Sequence, residues 1–255
     1  MTLPIDEGAI AEAKSHRGQG WRGTLDLAAT LGTIVASVWI IIILAEGHFS
    51  PAAGRASAAR PTPTVPHGSL SLDGAARQGR LTAKVALIEY SDFQCPFCGK
   101  FAREILPSLV KKYVDSGDVL LIFRNFPLPI HPLARPAAEA AVCADQQGKF
   151  WEAHEAFFDD QNHLGDLIRA LPSDVGLAAG PFDACVAGPA KARVDADLAD
   201  GKGAKVVGTP EFLIGEIQSD RRMKPLRVLA GARPLSEFEE ALDNVLKQVT
   251  SGPGR

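Results

Sequence analysis

The run Glu89-Tyr90-Ser91-Asp92-Phe93-Gln94-Cys95-Pro96-Phe97-Cys98 constrains the fold of this chain more than any other stretch. Two cysteines with only Pro-Phe between them close a disulfide only where the backbone bends sharply. The residues before them, Lys84 to Tyr90, read as a buried strand feeding that bend. The residues after them place Phe101, Ile105, Leu106, Leu109, Val110 and Tyr113 close to helical spacing. The cysteines therefore sit at a strand-to-helix junction.

That junction has chemical consequences. At the first turn of a helix, the Cys95 thiolate meets unsatisfied backbone N–H groups and the positive end of the helix dipole, and both favour the anion. Its pKa is expected well below the free-thiol value of roughly 8.5. Cys98, one turn deeper, is expected to stay protonated and buried. The pair reads as an attacking thiol and a resolving thiol, and a stabilised thiolate makes the disulfide form an oxidant toward other thiols. Two other readings of a CxxC compete. Half of a zinc site would need a second ligand pair, and Cys143 and Cys185 lie far apart in sequence; a purely structural bridge is the other.

Composition narrows the class. With 255 residues, 46% hydrophobic and 22% charged, the chain holds one or two ordinary domains with a substantial core. A net charge of -3 is too mild to suggest a nucleic-acid partner. Four cysteines suit an oxidising compartment or a redox enzyme.

The first 68 residues differ from the rest. Residues 1–24 are polar, with Lys14, Arg17 and Arg22 preceding the uncharged stretch Leu27 to Ala45. At 1.5 Å per residue, a helix of that length approaches the roughly 30 Å hydrocarbon core, so 25–45 is a transmembrane candidate. A cleaved signal peptide, whose apolar core is usually about 7 to 15 residues, and a buried core helix compete with an uncleaved anchor. The basic residues before the span place the N-terminus in the cytoplasm, against a weaker opposing bias from Arg55 and Arg60, and so place the residues beyond the span outside it. Residues 46–68, rich in Pro, Ala, Ser and Gly, bury too little surface to fold and read as a flexible linker.

From Ser69 to Val249 the chain reads as globular, with 250–255 a tail. Asp118 to Phe123 is a second buried strand, and its connection to the first through a helix implies a βαβ unit. Pro107 should kink or interrupt that helix. Residues 131–203 read as a helical insertion punctuated by Pro and Gly, in which Phe150, Trp151, His154, Phe157 and Phe158 recur at core-facing spacing. Strands return at Thr209 to Ile214 and Arg227 to Ala230. The final helix, Ser236 to Val249, has Ser236 placed as an N-cap with Glu239 completing a capping box. Residues 216–225 read as a longer hairpin loop or a partner contact. His131 and His154 read as satisfied histidines, because no ligand set surrounds them.

Strand, CPFC, helix, strand, helical insertion, then Gly208-Thr209-Pro210 opening another strand: this order resembles the DsbA-like thiol:disulfide oxidoreductases, in their membrane-anchored or secreted branch. The segments Asn125 to Pro132 and Gln147 to Trp151 belong to the same likeness. The resemblance implies a thioredoxin-like α/β fold with an inserted helical domain. It implies catalysis by Cys95 and Cys98, and a cis-Pro210 facing them that, with Thr209, holds an extended substrate; Pro96 and Phe97 join the substrate-binding set. Glu89 matches a buried acid that relays the Cys98 proton, against a half-exposed strand-end acid from the residues alone. Cys143 and Cys185 correspond to a second disulfide, structural or redox-linked, the alternative being two separate thiols. A bridge closing that loop would stabilise the domain by roughly 4 kcal/mol on the chain-entropy model.

The resulting expectation is an extracytoplasmic, single-pass oxidase of exported proteins' cysteine thiols. No metal or organic cofactor is implied, and a membrane redox protein recycles the disulfide. Isomerase or reductase action at the same site, or a non-enzymatic peptide-binding module, are the alternatives.

Overall fold

The computed structural model describes residues 64–251. The expected anchor at 25–45 and most of the linker lie outside the described residues. Among those described, no helix is long and apolar enough to cross a membrane. The last linker residues meet the folded part, with Pro66 buried.

The central strand, β3 (Val85–Ser91), is buried along its whole length. A run of Val, Ala, Leu, Ile and Tyr suits this, because both faces of the strand are covered. It pairs in parallel with β4 (Val119–Asn125), Val85 opposite Val119 and Ser91 opposite Asn125. On its other side it runs antiparallel to β5 (Glu211–Ile217), which pairs with β6 (Arg222–Ala230). Two short strands, β1 (Leu70–Ser71) and β2 (Ala76–Gln78), complete the order β1-β6-β5-β3-β4-β2. Neither is visible in the sequence, since two or three residues carry no period. They cover the sheet edges that β6 and β4 would otherwise expose.

Between β3 and β4 run α1 (Pro96–Glu104) and α2 (Leu106–Leu109), continued by a π turn over Val110–Val114. The break falls at Ile105, whose φ of -117° leaves helical geometry. Pro107, two residues on, has no N–H to continue the ladder. Five helices follow β4: α3 (Ala134–Asp145), α4 (Phe150–Asp159), α5 (Leu164–Asp174), α6 (Ala179–Val186) and α7 (Pro189–Gly203). A final α8 (Leu235–Ser251) returns to the sheet.

Alternation along β3 divides the core. Val85 and Leu87 pack with Phe101, Leu109, Phe212, Phe238 and Leu242 under α1, α2 and α8. Ala86, Ile88 and Tyr90 face the opposite layer with Phe126 and Val206. The insertion has its own aromatic core, which Phe93, Phe123 and both active-turn cysteines join. A buried ion pair, Arg124 to Asp197 at 2.8 Å, fixes α7 on β4, with Asn125 also donating to Asp197.

Two expectations are corrected. Ser236 does not cap α8, which already begins at Leu235; Glu239 pairs with Lys112 at 3.0 Å instead of closing a capping box. The ion pair engages the carboxylate, and the Pro234 carbonyl, two residues before Ser236, already accepts from the Glu237 N–H at 3.0 Å. Residues 216–225 are not a long loop: β5 and β6 run through them and turn over Gln218 to Arg221, closed by Arg221 N–H donating to the Gln218 carbonyl at 2.9 Å. The turn places Arg221 at φ 62°, a conformation that Asn or Gly would ordinarily announce. Gly215 sits at the register shift in this hairpin. A Cβ there would lie 2.1 Å from the Lys224 carbonyl oxygen.

Cys143 on α3 and Cys185 on α6 form a disulfide across a separation of 42 residues. Replacing both with Ala should lower the unfolding free energy by about 4 kcal/mol, read from denaturant midpoints of variant and parent. No loss of stability would mean that packing of α3 against α6 holds the insertion unaided.

Candidate active site

The β3–α1 turn holds both remaining cysteines, which are free thiols. Cys95 is the N-cap of α1, with φ -73° and ψ 123°, and Pro96 is the first helical residue. Proline suits that place because the missing N–H has no helical partner there. An ordinary N-cap aims a side-chain oxygen at the next N–H groups. No side-chain hydrogen bond caps the helix here, and the backbone N–H groups of Phe97 and Cys98 act on the sulfur as nearby dipoles. The Cys95 N–H donates to the Asp92 carbonyl at 3.0 Å, and its own carbonyl accepts from Gly99 at 3.1 Å.

The Cys95 thiol is pulled down to about 5, chiefly by a hydrogen bond from Cys98. Burial opposes the shift, while Thr209 and the two backbone N–H groups assist it. Cys95 donates to the Thr209 carbonyl at 3.4 Å when protonated. The Thr209 hydroxyl is buried with no hydrogen-bond partner. Cys98 is fully buried and pushed well above the ordinary thiol range, first by burial and then by its bond to Cys95. The two sulfurs thus have opposed acidities three residues apart.

Thr209-Pro210 is a cis peptide, and it brings the start of β5 against Cys95. Pro96 and Phe97 lie in the same turn, with Phe97 61% exposed. Glu89 is buried on β3, opposite Phe123 on one neighbouring strand and Phe212 on the other. Burial in that apolar setting raises its carboxyl to about 8, against a small opposing bond from Ser91, and Oε1 has no partner. It is a buried acid, not a half-exposed one, and its charge acts on Cys98.

Other residues hold the turn from a distance. The wholly buried Asp92 carboxylate accepts from the Gln94 N–H, the Leu128 N–H and His131 Nδ1, each at 2.8 Å. Its own N–H reaches Cys98 Sγ at 3.5 Å. Gln161, from the insertion, donates through one side-chain nitrogen to the carbonyls of Phe93 and Cys95. In sequence Asp92 reads as serving the turn alone, and Gln161 carries no signal at all. The partners that link them to other parts of the fold lie 36 to 68 residues away, beyond any local pattern. His154 sits among Phe93, Phe123 and Phe158, where burial holds its imidazole down to about 3. Among the described residues no cluster of three or more His, Cys, Asp or Glu side chains is placed to hold a metal.

A family profile described as "Thioredoxin" matches residues 72–230, more than half of the chain. The chain belongs to the thioredoxin family. Among curated relatives, disulfide bond formation protein D of Bacillus subtilis is 34% identical over 115 residues, which are 40% of this chain and 51% of that protein. Na(+)/H(+) antiporter NhaA 3 of Salinispora tropica is 36% identical over 143 residues, 54% of this chain but 21% of the antiporter. The chain thus matches about a fifth of one relative's length and half of the other's. Among solved structures, alpha-DsbA1 of Wolbachia pipientis has a TM-score of 0.60 at 22% identity, covering 71% of this chain and 96% of that one. Oxidised BdbD from Bacillus subtilis has 0.59 at 22% identity, covering 72% and 98%. These likenesses are of fold.

Proposed function

We propose that this protein is a thiol:disulfide oxidoreductase that works as an oxidase of cysteine pairs in exported proteins. The observation that carries the reading is the free Cys95 thiol at the start of α1, 3.4 Å from the Thr209 carbonyl of the cis Thr209-Pro210 peptide, with the free Cys98 thiol buried one turn deeper. In the forward reaction a substrate thiolate attacks the Cys95 sulfur of the Cys95–Cys98 disulfide, and Cys98 leaves as a thiolate. The substrate's second thiolate then attacks its own sulfur in the mixed disulfide, releasing Cys95 as the stabilised anion. The substrate loses two electrons and two protons, and the enzyme's disulfide gains the electrons. Cys98, a poor thiolate in its buried setting, takes a proton on leaving, and Glu89 is the acid beneath it that can supply one. Thr209 and Pro210 hold the extended substrate beside Cys95, with Pro96 and Phe97 contributing the near side.

Residues 25–45 anchor the chain in the membrane with residues 1–24 inside, 46–68 act as tether, and 69–249 operate outside the cytoplasm. A membrane redox protein of the oxidant type re-forms the Cys95–Cys98 disulfide. The Cys143–Cys185 bridge is structural.

Cys98→Ala tests the reading. A variant without the resolving thiol should accumulate disulfide-linked complexes through Cys95 with exported, cysteine-containing proteins, resolved on non-reducing gels and lost with dithiothreitol. Absence of any such complex in cells that contain the variant would sink the oxidoreductase reading and favour a peptide-binding module.

A further inference from the structure

Three loops meet at one end of the sheet. β3 and β4 are parallel and β5 is antiparallel to them, so the β3–α1 turn, the segment after β4 and the segment before β5 share that end. Because β3 lies between β4 and β5, the two segments flank Cys95 on opposite sides. Six large apolar side chains are exposed among the described residues, and three belong here: Val207 (66%) on the β5 side, Phe97 (61%) in the turn and Ile130 (78%) on the β4 side. Ile130 is the most exposed of them.

The loop that presents Ile130 is held stiffly. Pro127, Pro129 and Pro132 restrict its backbone. Three hydrogen bonds pin it to the active turn: Leu128 N–H and His131 Nδ1 donate to Asp92 Oδ2, and Leu133 N–H donates to Gln94 Oε1 at 2.7 Å. An apolar side chain kept in water on a preorganised loop loses little entropy when something covers it. The occupant follows from the recessed position of Cys95, which is only 4% exposed. A polypeptide bonded to that sulfur must lie down on the surrounding collar.

We propose that Ile130 is a specificity-determining residue that contacts an apolar side chain about two residues from the cysteine of the polypeptide joined to Cys95. The distance follows from strand geometry: loops on either side of β3 are roughly 10 Å apart, and an extended chain advances about 3.3 Å per residue. The inference rests on the oxidoreductase reading, and it adds what the substrate must look like beside its cysteine. Asp92 and His131 serve it as positioning residues, fixing the loop against the turn.

The test uses the whole 255-residue chain with Cys98→Ala, equilibrated in glutathione buffer. A peptide thiol displaces glutathione from Cys95, forming the peptide–Cys95 disulfide and releasing glutathione as thiol, so the reaction balances without another oxidant. The probes are short Ser/Gly peptides with one cysteine, with or without a Leu two residues before or after it. We expect a Leu peptide to form the mixed disulfide about tenfold more favourably than the plain peptide. Adding Ile130→Ser should reduce that preference to less than about twofold, whereas Ile130→Leu should keep it. An unchanged preference in Ile130→Ser, or none with Ile130 present, overturns the proposal. So does an unchanged preference accompanied by a change in oligomeric state, which would assign this face to a second copy of the chain. Failure of Cys95 to form a mixed disulfide with either peptide or glutathione would instead condemn the underlying activity.

Discussion

The reduced protein should gain stability over its oxidised form as pH rises from about 5 toward the free-thiol value of roughly 8.5, by a limiting slope of about 1.4 kcal/mol per pH unit. The cause is the Cys95 thiol, held at about 5 in the folded state. A depressed pKa gives stabilisation that is fully present above the unfolded value and lost as pH falls through the folded one. Only the reduced form has the thiol, so the gap between the two forms isolates it. At pH 7 the contribution approaches roughly 3 kcal/mol, lessened by screening from the water close to this end of the sheet. The short disulfide of the oxidised form opposes it by about 2 kcal/mol through chain entropy. Above the free-thiol value the gain from Cys95 ends, because Cys95 is then ionised in both states, and the trend should reverse as Cys98, whose pKa is raised, stays protonated in the fold while the unfolded chain ionises. Urea unfolding of both forms from pH 4 to 9 reads this directly. A stability of the reduced form relative to the oxidised form that ignores pH, or falls as pH rises from about 5 to 8.5, would remove the stabilised thiolate and the argument for an oxidase.

Glu89→Gln should change stability with the opposite pH dependence. The folded carboxyl is raised to about 8 by burial, so the wild type has its full stability below the unfolded carboxyl value and loses it as pH rises through about 8. The Gln variant has no such loss. It does bury an amide N–H beside Phe123 and Phe212, which costs about 1–3 kcal/mol if unpaired. At pH 4 the variant should therefore be less stable than the wild type. By pH 8 the order should reverse, with a total swing of several kcal/mol. The same substitution tests the proton relay: the pH profile of peptide oxidation should lose its inflection near 8. A retained inflection would leave Glu89 a buried acid without a part in the exchange, and a parallel pH dependence of stability would mean that Glu89 is already ionised.

These expectations differ in how much of their basis the sequence carried. The strand–CPFC–helix junction was legible because strand period, proline at the helix start and cysteine spacing are all local. The polarity of the two thiols followed from helix termini in general, but its strength did not. The largest pull on Cys95 comes from Cys98, and Thr209, 114 residues away, assists. The capping box at Ser236 misled because its type of residue and spacing were right while the helix began one residue earlier and Glu239 found Lys112. The turn at Gln218 to Arg221 was missed because a non-glycine residue takes the positive φ.

The sequence by itself determined where the redox pair lies, that a strand feeds it and a helix follows, and that helical residues interrupt the sheet. Each of these rests on contacts within a few residues, where backbone propensity and apolar period decide the outcome. Tertiary structure alone decided what surrounds the pair: Glu89 shut between Phe123 and Phe212, Gln161 bonded to the carbonyl of Cys95, and the Asp92 carboxylate tying Ile130's loop to the turn. Burial sets a carboxyl's acidity and long-range hydrogen bonds place a loop. Both depend on side chains that meet only once the sheet has assembled.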